Sequence, residues 1–157
     1  MSNLVDNTCA KKLTGSCNAP ISTKKVFIGG SHSICRLTKE VMIELNTLID
    51  RHNIILIGDC FGADAAVQKY LHDKKYRNII VYYSGDAPRN NAGNWKTVCV
   101  ESLNQPNTYE WHHDKDIKMQ KDCDTALMIW DGKSRATAAN MKELHSINKT
   151  CIEIKIG

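Results

Sequence analysis

The sequence predicts an α/β fold, a Rossmann-like three-layer sandwich with a mostly parallel sheet of five strands, or slightly more, in the order 3-2-1-4-5. Short apolar runs alternate with segments whose apolar residues recur at helical spacing. The apolar runs also end in loops rich in glycine, serine and aspartate, as parallel strands do where a helix follows. The 157 residues, 42% of them hydrophobic, are enough to build one core.

The first predicted unit follows a polar stretch. Residues 1–23 lack periodicity, which predicts a flexible N-terminal arm ahead of one domain spanning 24–157. A strand is predicted at 26–28. The helix predicted at 38–52 carries Val41 and Leu45 on one apolar face, so it packs on the sheet.

The second unit repeats this pattern. A strand at 54–57 leads into a helix at 63–74, in which Val67 and Leu71 form the buried stripe. The β-branched and aromatic run at 79–83 predicts the third strand.

A long segment at 84–106 follows, with a short β-like run at 97–100. Connections of this length in a compact domain are usually functional or mobile. The remaining predicted elements are a helix at 109–121, a strand at 125–130, a helix at 137–147 and a strand at 150–156.

Composition narrows the classes of function. The net charge of +4 comes from intermixed charges, which favours anionic ligands and makes nucleic-acid binding unlikely. No apolar run is long enough for a membrane helix or a signal peptide, so we expect a cytoplasmic protein without membrane contact. The seven cysteines form no C-x-x-C pair, which predicts reduced thiols and no metal site.

The loop after the fourth predicted strand has the composition of an anion site. It offers a turn glycine, hydroxyl groups, cations and the acid Asp131 where a helix begins. Its candidate ligand-binding residues are Gly132, Lys133, Ser134, Arg135 and Thr137.

The loop after the first strand contains Gly29, Gly30 and Ser31, whose small side chains allow a ligand to approach the backbone. It matches neither G-x-G-x-x-G nor a P-loop, which counts against dehydrogenases and ATPases. Loops at the carboxyl ends of parallel strands meet at one edge of the sheet, where such folds bind ligands.

The second loop combines small residues with acids: Gly58, Asp59, Gly62, Ala63 and Asp64. These carboxylates are suited to binding ribose hydroxyls or to acid–base chemistry, so Asp59, Asp64 and Asp131 are the candidate catalytic residues. An acid in the first turn also complements the helix dipole, a purely structural alternative for Asp64.

The third loop adds Arg89 and Asn90 as donors to a phosphate. Trp95 is a candidate for stacking on a base, but tryptophans more often belong to the core. His112 and Asp116 share a helix face, yet two ligands do not make a metal site, which favours a solvated helix start. Cys60 precedes a helix whose dipole tends to lower a thiol pKa.

Four segments resemble the SLOG superfamily: FIGGSHSI, GDCFGADAAVQKYL, YYSGDAPRNNAGNW and LMIWDGKSRATAANM. This superfamily of Rossmann-like proteins includes cytokinin-activating phosphoribohydrolases, the DNA-processing protein DprA and the small YspA/YpsA-related group, which the chain resembles most. The resemblance covers residues 24–156. It implies binding of nucleotides or nucleotide-derived ligands, such as nucleoside phosphates or ADP-ribose-like molecules, at the loops after strands 1, 2 and 4.

The resemblance also implies roles for individual residues. Gly29, Gly30 and Ser31 would line one wall, and Gly58, Gly62, Ala63 and Asp64 the other. The phosphate would be received by Gly132, Ser134, Arg135 and Thr137. The phosphoribohydrolases carry a glycine before the threonine and a glutamate after it, where this chain has Ala136 and Asn140. Asparagine is no carboxylate base, which argues against hydrolysis by their mechanism.

Three functions follow as hypotheses. The first is a sensor or scavenger that binds a nucleotide-derived ligand, without a further cofactor and as a homo-oligomer, most simply a dimer. The alternative is a hydrolase that cleaves an N-glycosidic or related ribose bond with one of the three loop aspartates. DNA binding of the DprA kind is the least favoured, because basic residues form no stripe and aromatic residues are only 6% of the chain.

Overall fold

A computed structural model describes residues 23–157; the predicted N-terminal arm lies outside the described residues except for its last residue. The elements in chain order are β1 (Lys25–Gly30), α1 (Lys39–Asp50), β2 (Ile54–Gly58), α2 (Ala63–Asp73), β3 (Ile79–Tyr83), β4 (Lys96–Cys99), α3 (Tyr109–Asp122), β5 (Thr125–Trp130), α4 (Arg135–Ser146) and β6 (Thr150–Lys155).

The strands form one parallel sheet in the order β4-β3-β2-β1-β5-β6. The predicted α/β fold and the relative order of its five strands are confirmed. The β-like run in the long connection is a sixth strand, β4, which pairs with β3 at the edge of the sheet.

The strands are apolar on both faces because helices cover both. On β1, Val26 and Ile28 face α1 and α2, and Phe27 faces α3 and α4. Continuous apolar runs are typical of such doubly covered strands. The sheet therefore separates two cores, each built against one helical layer.

The direction of chain travel across the sheet reverses between β1 and β5. From β1 the chain proceeds through β2 and β3 to β4, and it then returns through α3 to β5, on the other side of β1. The loops that follow these two strands diverge, which opens a crevice at the carboxyl edge of the sheet.

Within residues 23–157, no helix combines the length and the apolar character that a membrane crossing requires.

Candidate functional site

A cavity of about 210 Å³ lies in this crevice. Three of the four predicted loops, those after β1, β2 and β5, contribute to its lining, and helices α3 and α4 complete it. The predicted site residues that line it are Gly29, Gly30, Asp64, Asp131, Ser134 and Thr137.

Close contact between the loops after β1 and β2 shapes one side of the cavity. Gly62 has φ +80°, and a Cβ there would lie 2.3 Å from the carbonyl oxygen of His32. The N–H of Ala63 donates to the carbonyl of Ser31 at 3.1 Å. Gly62 and Ala63 thus hold the two loops together and are not part of the lining.

Ser31 braces the loops after β1 and β5 from behind the cavity wall. Its side chain is fully buried, and its Oγ accepts the N–H of Asp131 at 3.1 Å. The same oxygen lies 3.3 Å from Oγ1 of Thr137. The structure gives Ser31 a bracing position between the loops.

Asp131 uses its carboxylate to close the loop after β5. Oδ1 accepts the backbone N–H groups of Lys133 and Ser134 at 2.8 and 2.7 Å, and Oδ2 accepts the hydroxyl of Ser33 at 2.6 Å. The bond from Ser33, followed by those two N–H groups, holds the pKa of Asp131 well below its usual range. The N–H groups of Lys133 and Ser134, which belong to the predicted anion site, are therefore already bonded to the carboxylate of Asp131.

The amino terminus of α4 retains other donors. Ser134 caps the helix, with Oγ accepting the N–H of Thr137 at 3.3 Å. The N–H groups of Arg135 and Ala136, at the first two helical positions, have no partner inside the helix because the residues four positions earlier lie outside it. No acceptor elsewhere in residues 23–157 bonds to them. Ala136 lines the cavity, so this helix end supplies donors at its wall.

The rest of the loop after β5 lies outside the cavity lining. Gly132 and the exposed Lys133 form the turn. Arg135 is exposed as well and lines an adjoining hollow. In the part of the chain that the structure describes, neither Lys133 nor Arg135 forms an ion pair.

Asp59 and Arg89 pair with each other. Asp59 is buried, and it accepts the backbone N–H of Arg89 at 2.8 Å and the guanidinium at 2.9 Å. Burial raises the pKa of Asp59, but these bonds and the nearby charge of Lys115 more than offset it, so the pKa lies below its usual value. Both side chains stand outside the cavity lining.

Asn90 also ties the loop after β3 to the loop after β2, because its side-chain amide donates to the backbone carbonyl of Asp59 at 2.9 Å. The buried Gln68 of α2 donates to the carbonyl of Asn90 and accepts the N–H of Ala92. The third loop is therefore tied to α2 and to the second loop, which accounts for its absence from the cavity.

Asp64 lines the cavity as a buried acid, and within residues 23–157 it accepts one hydrogen bond, from the N–H of Cys60 at 3.2 Å. Burial is the main reason that its pKa is raised to about 7. Gly58 leaves the necessary space, because a Cβ there would lie 2.6 Å from Oδ2 of Asp64.

Lys115 of α3 was missed by the sequence analysis, and its neighbour Asp116 was considered there only as a rejected metal ligand. Lys115 is only 2% exposed, and its Nζ lies 3.8 Å from Asp59 and 3.9 Å from Asp116. Burial lowers the pKa of Lys115, but Asp116, Cys60, Asp64 and Asp59 together raise it above its usual value. A buried cation thus lies among acids at the edge of the cavity.

Asp116 lines the cavity and accepts the amide of Asn140 at 3.0 Å. Burial raises its pKa, yet the charges of His113 and Lys115 and the bond from Asn140 bring the pKa below its usual value. The expected solvated helix start is wrong for Asp116. Asn140 stands where the phosphoribohydrolases have their glutamate. Its side-chain amide instead holds the carboxylate of Asp116, from the neighbouring helix, at this cavity.

His113 lies behind Asp116. Its Nδ1 is 3.8 Å from Oδ2 of Asp116, an ion-pair distance, and its Nε2 is 2.9 Å from Glu143 of α4. The nearby carboxylates of Asp116 and Glu143 outweigh burial and raise the pKa of His113 to about 9. A charged imidazole therefore links α3 to α4.

The expectation of a lowered thiol pKa at Cys60 is wrong, whereas the favoured core position of Trp95 is confirmed. Cys60 lines the cavity, but burial raises the pKa of its thiol, although Lys115 and Arg89 lie nearby. Trp95 is 4% exposed, and its Nε1 donates to the carbonyl of Tyr76 at 3.0 Å. It belongs to the core and is not placed to stack on a ligand.

Among the described residues, no group of three or more His, Cys, Asp and Glu side chains is arranged to hold a metal ion. Comparison of the chain with protein-family models, curated proteins and solved structures gives no match. The resemblance to SLOG proteins rests on its sequence motifs and stays a prediction.

Proposed function

We propose that this protein binds a nucleotide-derived ligand, with its phosphorylated ribose in the cavity between the loops after β1 and β5. The observation that carries the proposal is the convergence of three predicted loops and the start of α4 on one cavity, which is lined by both polar and apolar groups. The free N–H groups at Arg135 and Ala136, with the Ser134 hydroxyl, suit a phosphate. The carboxylates of Asp64 and Asp116 are acceptors for sugar hydroxyls.

Calorimetric titration with AMP, UMP, ADP-ribose, NAD and ribose 5-phosphate tests this proposal. Ala136→Glu puts a carboxylate at the proposed phosphate position, in the first turn of a helix, where an acid is tolerated. It should weaken binding at least tenfold. Lys142→Ala makes the same change in net charge on an exposed position of α4 and should bind like the parent. Absence of binding by all five compounds, or equal affinities of the two variants, would refute the proposal.

A second candidate function is hydrolysis of an N-glycosidic bond of the ligand. Asp64 and Asp116 line the same cavity, and their environments shift their pKa values in opposite directions. Such a pair supplies an acid and a base. Asp116 takes a proton from water, the water oxygen attacks the anomeric carbon, and the departing nitrogen takes the bonding electrons and the proton of Asp64.

Chromatography of the base released from AMP or UMP tests this chemistry. Asp64→Asn and Asp116→Asn should each lower the rate by roughly a hundredfold or more, as expected for loss of a general acid or base. Asp73→Asn, on the exposed side of α2, is the control. No release by the parent at high protein concentration, or equal rates in all variants, would leave binding as the function.

A further inference from the structure

An open hollow of about 660 Å³ adjoins the cavity. It is lined by Tyr109 and Glu110 at the start of α3 and by Arg135, Ala136 and Ala139 at the start of α4. Ala136 lines both spaces. The small side chain of Ala136 therefore stands between the two spaces, and Ala139, three residues further along α4, lines the hollow.

Tyr109 presents an oriented aromatic ring to this hollow. The ring stacks on the imidazole of His113, with centroids 5.3 Å apart and planes inclined by 15°. His113 is itself fixed by Glu143 at 2.9 Å. Half of Tyr109 is nevertheless exposed, at 50%. The ring is held from within the protein and remains accessible from outside.

The sizes of the two spaces point to a ligand in two parts. Pockets that enclose a whole small-molecule ligand usually measure about 300–1,000 Å³. The cavity, at about 210 Å³, is smaller than this range. A sugar phosphate in the cavity would leave the base of a nucleotide outside it. The hollow adjoins the cavity at Ala136 and is therefore the neighbouring space that the base could enter.

We propose that the hollow is a second subsite, which takes a planar heteroaromatic ring of the ligand stacked on Tyr109. Arg135, on the opposite wall, offers N–H donors to acceptors on the ring edge. This inference rests on the proposed function, because it places the base of the same ligand whose ribose phosphate occupies the cavity.

Phe61 is the competing aromatic residue at this edge of the molecule. It follows Cys60, a lining residue, and is 66% exposed. Within residues 23–157, no aromatic ring stacks on Phe61, and it lines neither space. Phe61→Ala is therefore a matched control for the loss of an exposed aromatic ring.

Calorimetry with AMP, UMP and ribose 5-phosphate on the parent and three variants tests the subsite. The parent should bind at least one of the nucleotides more tightly than it binds ribose 5-phosphate. Tyr109→Ala should weaken that nucleotide by roughly 5- to 150-fold, the usual effect of one base–aromatic stack, and leave ribose 5-phosphate unchanged. Tyr109→Phe, which keeps the ring, and Phe61→Ala should both match the parent.

The contrary outcomes are distinguishable. Equal binding of ribose 5-phosphate and both nucleotides by the parent would overturn the subsite and leave the proposed function intact. The same conclusion would follow if Tyr109→Ala weakened all ligands equally, or if Phe61→Ala had the effect expected of Tyr109→Ala. Failure of the parent to bind any of these three compounds would overturn the subsite, and failure to bind ADP-ribose and NAD as well would overturn the proposed function with it.

Discussion

At the scale of single residues, the aspartates of the site have different charge states because their partners differ. Asp131 is held ionised by the Ser33 hydroxyl and two backbone N–H groups. Asp59 is held ionised by Arg89. Asp64 has one backbone donor and is buried, so its neutral form is favoured. Burial and the hydrogen-bond donors that offset it together decide which of these aspartates carries a proton.

Asp64 should make the protein less stable as the pH rises from about 4 to about 7. Its pKa is 3.8 when unperturbed and about 7 in the fold. In this window the unfolded chain releases the proton that the folded chain keeps, so unfolding is favoured by higher pH. The unfolding free energy of Asp64→Asn, relative to the parent, should therefore rise by about 2–4 kcal/mol across the window.

Urea unfolding at pH 4, 5.5, 7 and 8.5 measures this difference. Well above pH 7 the difference should stay constant, because Asp64 is then ionised in both states. Asp73→Asn, which removes an exposed acid of the same helix, should show little pH-dependent difference from the parent. A constant difference between Asp64→Asn and the parent over the whole range would contradict the prediction.

At the scale of elements, the site depends on how closely the loops after β1 and β2 approach. Gly62 precedes α2 and has φ +80°, a backbone conformation that side chains rarely adopt. Gly85, after β3, has φ +96°, but a Cβ there would meet only Trp111, at 3.5 Å. Both glycines have a positive φ, which would strain any other residue. Only Gly62 also has the backbone of a neighbouring loop packed against it.

Gly62→Ala should destabilise the protein by about 2 kcal/mol more than Gly85→Ala does. Both substitutions cost about 1–3 kcal/mol for a positive φ, and only the first adds a clash, with the carbonyl of His32. Chemical unfolding of both variants provides the measurement. Equal losses would mean that the loops are not packed as closely as the structure shows.

At the scale of the whole molecule, one charged cluster joins the two helical layers at the edge of the sheet. Lys115 comes from α3 on one face, and Asp64 comes from α2 on the other. Both side chains lie over Gly58, at the end of β2. Arg89 extends the cluster to the loop after β3 through Asp59.

Lys115→Met should destabilise the protein by about 3–5 kcal/mol at pH 8, because it leaves buried acids without their shared cation. The loss should be smaller at pH 5, where Asp64 is protonated. Lys118→Met removes a half-exposed lysine one turn further along α3, paired with Asp122, and should cost less than about 1 kcal/mol. Similar losses for the two variants in urea unfolding would argue against a cluster that joins the layers.

The alternation of apolar runs and amphipathic segments was sufficient to predict the five main strands, their order and the helices between them, since these patterns are local and reflect two-sided burial. The same patterns located the loops that line the cavity. They missed Lys115 and assigned Asp116 to a solvated helix start, because the sequence of α3 is that of a polar helix. One signal was present, since Lys115 lies one turn before the buried Met119.

The sequence by itself determined which loops reach the carboxyl edge of the sheet, because strand direction and the following glycines are properties of the chain. Tertiary structure decided which side chains face the cavity. The side chains of Arg89, Asn90 and Asp131 are hydrogen-bonded to other residues of the protein. Trp95 is buried in the core. The physical reason is that a donor, an acceptor and a charge acquire their role from the groups that packing places within a few ångströms, often from distant parts of the chain.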